Sequence, residues 1–281
     1  MFRSDRLATL YLFQPLRQCV PSYCSSRIPI LMYHSVSEPY SDRAHPYFET
    51  TTSPRVFAKH MKFLRETGYR TLRLNEAVKY VESGEQRYEP SVVLTFDDGF
   101  QDFYTQAIPI LDKYGFTATV FLSTGYIADE RRQFKNRDCL TWTEVRELHR
   151  AGVTFGSHTV THRQLKFLKA VELEQEVRCS KEAIEDQIGH PVDSFSYPFA
   201  FPETDRAFKR KLKDLLAAQG YRNGVSTIIG TYGAGDDQFF QPRLPVNSWD
   251  DLRLFGAKLE GGYDWLHSFQ YAIKLAKFGV F

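Results

Sequence analysis

Two adjacent carboxylates, Asp97 and Asp98, stand in the string Thr95-Phe96-Asp97-Asp98-Gly99, directly after a continuous apolar run at 91–96. Like charges side by side in a buried place repel, and both lose water. The pair is costly unless a cation neutralises one member and leaves the other free to take protons. A turn or a helix cap also uses Asp-Gly, so the string alone does not decide. Two imidazoles, His158 and His162, lie four apart in Gly156-Ser157-His158-Thr159-Val160-Thr161-His162. On one helical turn that spacing presents both rings to the same side. With Asp98 they make an Asp/His/His set that leaves positions open, the makeup of a catalytic zinc site. A metal there lowers the pKa of water toward about 7 and polarises a carbonyl.

Two further strings are weaker alone. In Phe195-Ser196-Tyr197-Pro198-Phe199, the backbone N–H of Phe199 could serve a developing oxyanion, although a strand ending at proline is common. His34 ends the run Leu31-Met32-Tyr33-His34, where a lone histidine is more often structural than chemical.

All four strings fall at the C-terminal ends of predicted strands, the edge at which barrels collect catalytic groups. From residue 28 onward strand-like and helix-like segments alternate, giving roughly seven β/α steps and an α/β fold. Strands are expected near 29–34, 69–72, 91–96, 118–122, 153–156, 194–197, 221–227 and 240–246. Ser53 with Pro54, Asn75, and Thr141 with Glu144 are read as helix starts, and residues 129–138 and 230–238 as polar connectors. The expected architecture is a single distorted (β/α)7-type barrel over 28–247. A leader at 1–27, flexible or surface-associating, precedes it, and a C-terminal helical tail at 248–281 follows.

Composition is that of a globular chain, with 42% hydrophobic and 25% charged residues. A net charge of +2, with its basic residues dispersed, argues against nucleic acid. The 23 Phe and 16 Tyr fit either an aromatic core or a sugar-binding cleft. Cys19, Cys24, Cys139 and Cys179 form no CxxC pair and read as free thiols. No apolar run is long enough for a membrane span, and the short stretch after Arg3 and Arg6 makes a poor signal peptide. Compartment is therefore undetermined, with a cytoplasmic or membrane-peripheral place favoured over secretion. Peripheral membrane contact stays open, since Trp265, Leu266, Phe269, Ala272, Ile273 and Ala276 form an amphipathic face beside Lys274 and Lys277.

Taken in order, the four strings resemble the polysaccharide deacetylase family, the NodB homology domain of carbohydrate esterase family four, from about residue 28 to 246. TFDDG and SHTVTH, each behind a strand, carry the likeness. The resemblance implies a metal-dependent hydrolase that removes N-acetyl groups from an amino-sugar polysaccharide or glycan. It implies Asp97 as general base, Asp98, His158 and His162 as ligands of a divalent metal (zinc favoured, other divalent transition ions open), and the Phe199 amide in the oxyanion hole. Two features depart from the pattern: Ser196 stands where the family usually has arginine, and Trp265-Leu266-His267 is a poor match to the C-terminal Leu-x-His whose histidine is the acid. Both gaps are shared with the poly-N-acetylglucosamine deacetylase-like branch, in which the acid histidine comes from the first strand. That points to His34 as acid, and to Arg243 as the positive charge beside Asp97. A non-catalytic carbohydrate-binding relative of the same fold is the alternative, and a non-haem iron oxygenase, which also uses two histidines and a carboxylate, is a third reading.

Overall fold

Every residue of the strand Ser91–Phe96 is buried, which explains why its sequence shows no polar alternation. A parallel strand with helices on one face and a barrel interior on the other is apolar on both. The computed structural model describes residues 3–18, 27–38, 49–84 and 89–278. Its strands are β1 (Ile30–Tyr33), β2 (Ser35–Val36), β3 (Thr51–Thr52), β4 (Arg70–Thr71), β5 (Ser91–Phe96), β6 (Thr119–Leu122), β7 (Gln133–Phe134), β8 (Arg137–Asp138), β9 (Thr154–Ser157), β10 (Ser194–Ser196), β11 (Asn223–Ile229) and β12 (Gln241–Pro245). Seven of them run parallel in the order β1-β12-β11-β10-β9-β6-β5, and β5 returns to β1 with Ile30 opposite Val93 and Tyr33 opposite Phe96. The sheet is thus closed into the expected seven-stranded α/β barrel. Short β4 pairs with the start of β5.

Neighbouring residues on these strands belong to different cores. Leu31, Val92, Leu94, Val120 and Leu122 join the large cluster under the outer helices. Ile30, Val93, Phe121 and Val225 form a second cluster with Leu72, Leu74, Ala77 and Val78. This second cluster is the barrel interior, and the helix Leu74–Ser83 closes its N-terminal end. Space inside is tight: a Cβ on Gly156 would come within 2.5 Å of the Phe121 ring, so only glycine fits there.

The helix Pro54–Glu66 starts at Ser53, whose hydroxyl accepts from the Val56 N–H, and Trp142–Arg150 starts with the Thr141/Glu144 capping box, both as expected. The helix expected to start at Asn75 begins instead at Leu74, with Arg73 as N-cap. Asn75 is needed elsewhere: its amide donates to Asp193 at 3.0 Å, tying the plugging helix to the loop before β10. Residues 129–138, expected as a polar connector, contain the β7–β8 hairpin.

Both flanks of the barrel meet. Residues 3–18, inside the segment read as a leader, form consecutive helical pieces Ser4–Ala8, Thr9–Phe13 (π-helical) and Gln14–Gln18. They pack on the tail, which holds helices Leu252–Leu259 and Trp265–Phe278. Phe13 stacks on Trp265 at 4.6 Å, and Trp265 Nε1 donates to the Thr9 hydroxyl at 3.0 Å. Beneath them lies a buried ion cluster. Arg3 donates to Asp250 at 3.0 Å, and Lys258 donates to the other Asp250 oxygen at 2.7 Å and to the Pro245 carbonyl at 2.6 Å. Next to it the buried His60 uses both ring nitrogens, with Nε2 donating to the Asp250 carbonyl and Nδ1 facing the Tyr33 hydroxyl. Leu7, Tyr11, Leu12 and Leu16 stay exposed. Cys139 and Cys179 are free thiols, while Cys19 and Cys24 lie outside the described residues. Among the described residues, no helix is long and apolar enough to cross a membrane.

Candidate active site

Asp97 follows β5, and its N–H donates to the Tyr33 carbonyl at 3.0 Å, which sets His34 beside it across the β1–β5 seam. Arg243 is the second residue inward along β12 from Gln241, so strand alternation turns it to the interior, where it is 1% exposed. Its guanidinium grips Asp97 in a fork, Nη1 to Oδ1 at 2.8 Å and Nη2 to Oδ2 at 2.7 Å. Nε donates to the Ser226 carbonyl, and the Thr95 and Ser196 hydroxyls complete its partners. The short Ser196 side chain leaves room for this arginine, so the expected positive charge arrives from β12 rather than β10. Burial alone would push the Asp97 carboxyl up. The charges of Arg243 and His158 and the Arg243 hydrogen bonds reverse this and hold it at about 2.

Asp98 turns away from Asp97 because its backbone is left-handed (φ 74), as is that of Gly99. A Cβ on Gly99 would meet the tip of the Leu122 side chain at 2.8 Å, and with the left-handed backbone this favours glycine there. Asp98 is 1% exposed. Its Oδ1 faces His162 Nε2 at 3.2 Å and His158 Nε2 at 3.6 Å. Among the described residues this oxygen has no hydrogen-bond partner. Burial opposes ionisation here too, but contact with His162 and the charges of His34, Lys135 and His158 keep the carboxyl far below its ordinary value.

His158 and His162 do not share a helical turn, contrary to expectation. His158 follows β9, and 159–164 is loop. The rings converge because Thr159 (φ 69) and His162 (φ 54) take left-handed conformations, and their centroids lie 4.9 Å apart. The turn is held from outside: Glu176 accepts from the Val160 and Thr161 N–H groups at 2.8 Å and from the Thr161 hydroxyl. The Thr159 hydroxyl accepts from the His162 N–H at 3.0 Å. His158 Nδ1 donates to the Ser196 carbonyl at 2.8 Å, which leaves Nε2 with its lone pair toward Asp98. Burial is the main cause that lowers the His158 pKa to about 4, so the ring is neutral.

Asp98, His158 and His162 thus place three ligand atoms within 4.8 Å of one another, all buried. A carboxylate oxygen without a partner and a neutral imidazole with its tautomer fixed suit a divalent cation, so the residues fit a metal. Phe199, also left-handed (φ 61), sets its ring against His162 at 4.6 Å, and its N–H has no partner among the described residues. The imidazole of His34 is pushed below its ordinary pKa by burial, opposed by Asp97 and Asp98. His267 pairs with Glu203 at 2.6 Å rather than with the Asp97 group. The sequence reading missed Lys135. From the tip of the β7–β8 hairpin its Nζ donates to Asp98 Oδ2 at 3.0 Å.

A family model described as polysaccharide deacetylase matches residues 84–223. YxkH of Bacillus subtilis (strain 168), a protein of the polysaccharide deacetylase type, is 30% identical over 237 residues, 84% of this chain and 77% of its own length. The chain belongs to the polysaccharide deacetylase family. As a member it is a hydrolase of the deacetylase class. Staphylococcus aureus poly-β-1,6-N-acetyl-D-glucosamine N-deacetylase is 24% identical over 206 residues, 70% of this chain and 68% of that enzyme. Among solved structures, the Streptococcus pyogenes deacetylase PplD in complex with acetate superposes with a TM-score of 0.71 at 25% identity, covering 83% of this chain and 98% of that one. IcaB from Ammonifex degensii shares the fold, with a TM-score of 0.66 at 22% identity over 84% of this chain and 97% of that one.

Proposed function

We propose that this chain is a metal-dependent deacetylase that removes N-acetyl groups from an amino-sugar polysaccharide. The convergence of Asp98 Oδ1 with the Nε2 atoms of His158 and His162, beside a carboxylate locked by arginine, carries the reading. The N-deacetylase activity of the Staphylococcus aureus relative and the acetate bound by PplD support the substrate class. The deacetylase domain is assigned to 28–247.

Asp98, His158 and His162 hold the divalent ion, and their two nitrogens and one oxygen favour zinc. When bound, it acidifies water and polarises the acetamide carbonyl. The chain's own groups do the rest. Asp97 accepts the proton of the attacking water through the lone pairs that Arg243 leaves free, and Arg243 keeps it ionised. The Phe199 N–H donates to the carbonyl oxygen as it becomes an oxyanion. His34 delivers a proton to the departing nitrogen as the C–N bond breaks, and the proton that Asp97 took from the water restores the balance. Acetate and a free amine result.

Acetate release from β-1,6-linked N-acetylglucosamine oligomers, with and without chelator, tests the proposal. Asp97→Asn is expected to cut turnover about a thousandfold while the metal stays bound, the scale of a lost general base. His158→Ala is expected to lose metal and turnover together. Wild-type turnover in either variant, or oligomer binding without acetate release, would overturn it, the second result in favour of a non-catalytic binding protein.

A further inference from the structure

Asp98 shares its two oxygens unequally. Oδ1 faces the two imidazoles, and Oδ2 accepts from Lys135 at 3.0 Å. The carboxylate is 1% exposed, whereas the lysine side chain is 45% exposed. Its position is built rather than incidental. The hairpin pairs Gln133 with Asp138 and Phe134 with Arg137, and its two tip residues, Lys135 (φ 51) and Asn136 (φ 59), are both left-handed, as a tight two-residue hairpin requires. Phe134 stacks on Tyr126 at 4.2 Å and lies 5.2 Å from the His162 ring. Arg137 donates to the Ser35 and Ser37 hydroxyls at 2.7 Å and to Thr51 at 2.9 Å. The hairpin is therefore clamped at both strands, while the Lys135 side chain at its tip is half-exposed, its ammonium 4.6 Å from the centroid of the Phe134 ring.

We infer that Lys135 is a displaceable counter-ion, pairing with Asp98 until a divalent cation takes the carboxylate and then turning into solvent. A buried carboxylate needs a partner to stay charged, which the ammonium supplies. A second positive charge on the same carboxylate is repelled by it, and the flexible lysine yields because the ligands are buried and the turns that carry them are fixed. Asp97 is different. Its arginine is buried, forked and held by three further oxygens, so it cannot leave. Of two adjacent carboxylates, the one with the loose partner becomes the ligand. This inference rests on the metal reading of Asp98, His158 and His162 above.

The test uses the full chain, stripped with chelator, and measures zinc affinity by competition with a chromophoric chelator. Lys135→Met is expected to bind zinc about tenfold tighter than wild type, within the ordinary span of coupling between two ligands of one group. Lys135→Arg is expected to stay near wild type. In parallel, an amine-labelling reagent read by mass spectrometry should modify Lys135 more when zinc is added to wild type, and equally with or without zinc in His158→Ala. Unchanged or weaker zinc binding by Lys135→Met, or labelling of wild-type Lys135 that ignores zinc, overturns the inference. If wild type and His158→Ala bind zinc alike, the metal site itself is wrong and the inference falls with it. If only His158→Ala loses zinc while Lys135→Met matches wild type, the lysine role alone fails.

Discussion

Around Asp250, two cations from distant parts of the chain, Arg3 and Lys258, meet one carboxylate; Arg3 also pairs with Asp5, and Lys258 also satisfies a backbone carbonyl. Around Asp97 and Asp98, two cations meet two carboxylates, yet one buried oxygen, Asp98 Oδ1, lacks a hydrogen bond. The carboxylates Asp97, Asp98 and Asp250 are similarly buried, but every oxygen is hydrogen-bonded only at Asp250 and Asp97. A closed cluster fastens the flanks of the barrel together. Among the described residues, several other buried side-chain atoms also lack a hydrogen bond, and what sets Asp98 Oδ1 apart is that two imidazole nitrogens face it, at 3.2 and 3.6 Å. Backbone strain divides the two clusters the same way. Asp98, Thr159, His162 and Phe199 are left-handed at the site, at roughly 1–3 kcal/mol each, whereas the Asp250 cluster has no such residue.

The largest effect is expected from breaking the Asp97 clamp. Arg243→Met leaves a buried carboxylate unpaired, at about 3–5 kcal/mol of stability. Without the guanidinium, burial dominates and the Asp97 pKa rises. Calorimetry and a pH–rate profile should show a lower Tm, a loss of turnover, and an acid limb moved to higher pH. A limb that stays in place would mean that Arg243 does not tune the base.

Lys258→Met, in the closed cluster, removes a partner of comparable burial and should cost a similar few kcal/mol in chemical denaturation. Turnover below the unfolding transition should stay at the wild-type value. If turnover falls as for Arg243→Met, the two clusters are not separate in role.

The smallest effect concerns protons. Burial lowers the pKa of His60 to about 4, and its neutral ring serves both Tyr33 and the Asp250 carbonyl. Below pH ~6.5 the unfolded chain takes up a proton that the folded chain refuses until about 4, so stability falls with acidification across that window. His158 adds to the same slope. His60→Gln should flatten the dependence of Tm on pH between those values in metal-free protein. An unchanged slope would show that His60 is not a source of it.

The barrel was legible because buried parallel strands and capped helices announce themselves locally: 91–96 as an apolar run, Ser53 and Thr141 as caps. Arg243 was found from the family pattern, through the charge that Ser196 fails to supply. What escaped was decided over distance or by backbone hand. The geometry of His158 and His162 depends on two left-handed residues; Thr159 is β-branched and gives no sign of one, and histidine tolerates that conformation without signalling it. Lys135 lies 37 residues from Asp98. Its one local signal is Asn136, a residue that tolerates positive φ, between strands of two residues each, too short and polar to show periodicity. The helical pieces at 4–18 were legible only as a weakly apolar leader, since their partners Trp265 and Asp250 lie almost a chain length away.

The helix Leu74–Ser83 and the Phe121 ring, set against Gly156, give the barrel a solid floor. Whatever reaches Asp97 must enter and depart through the same opening. Under the proposed function, a polymeric substrate would therefore lie across the rim rather than thread the barrel.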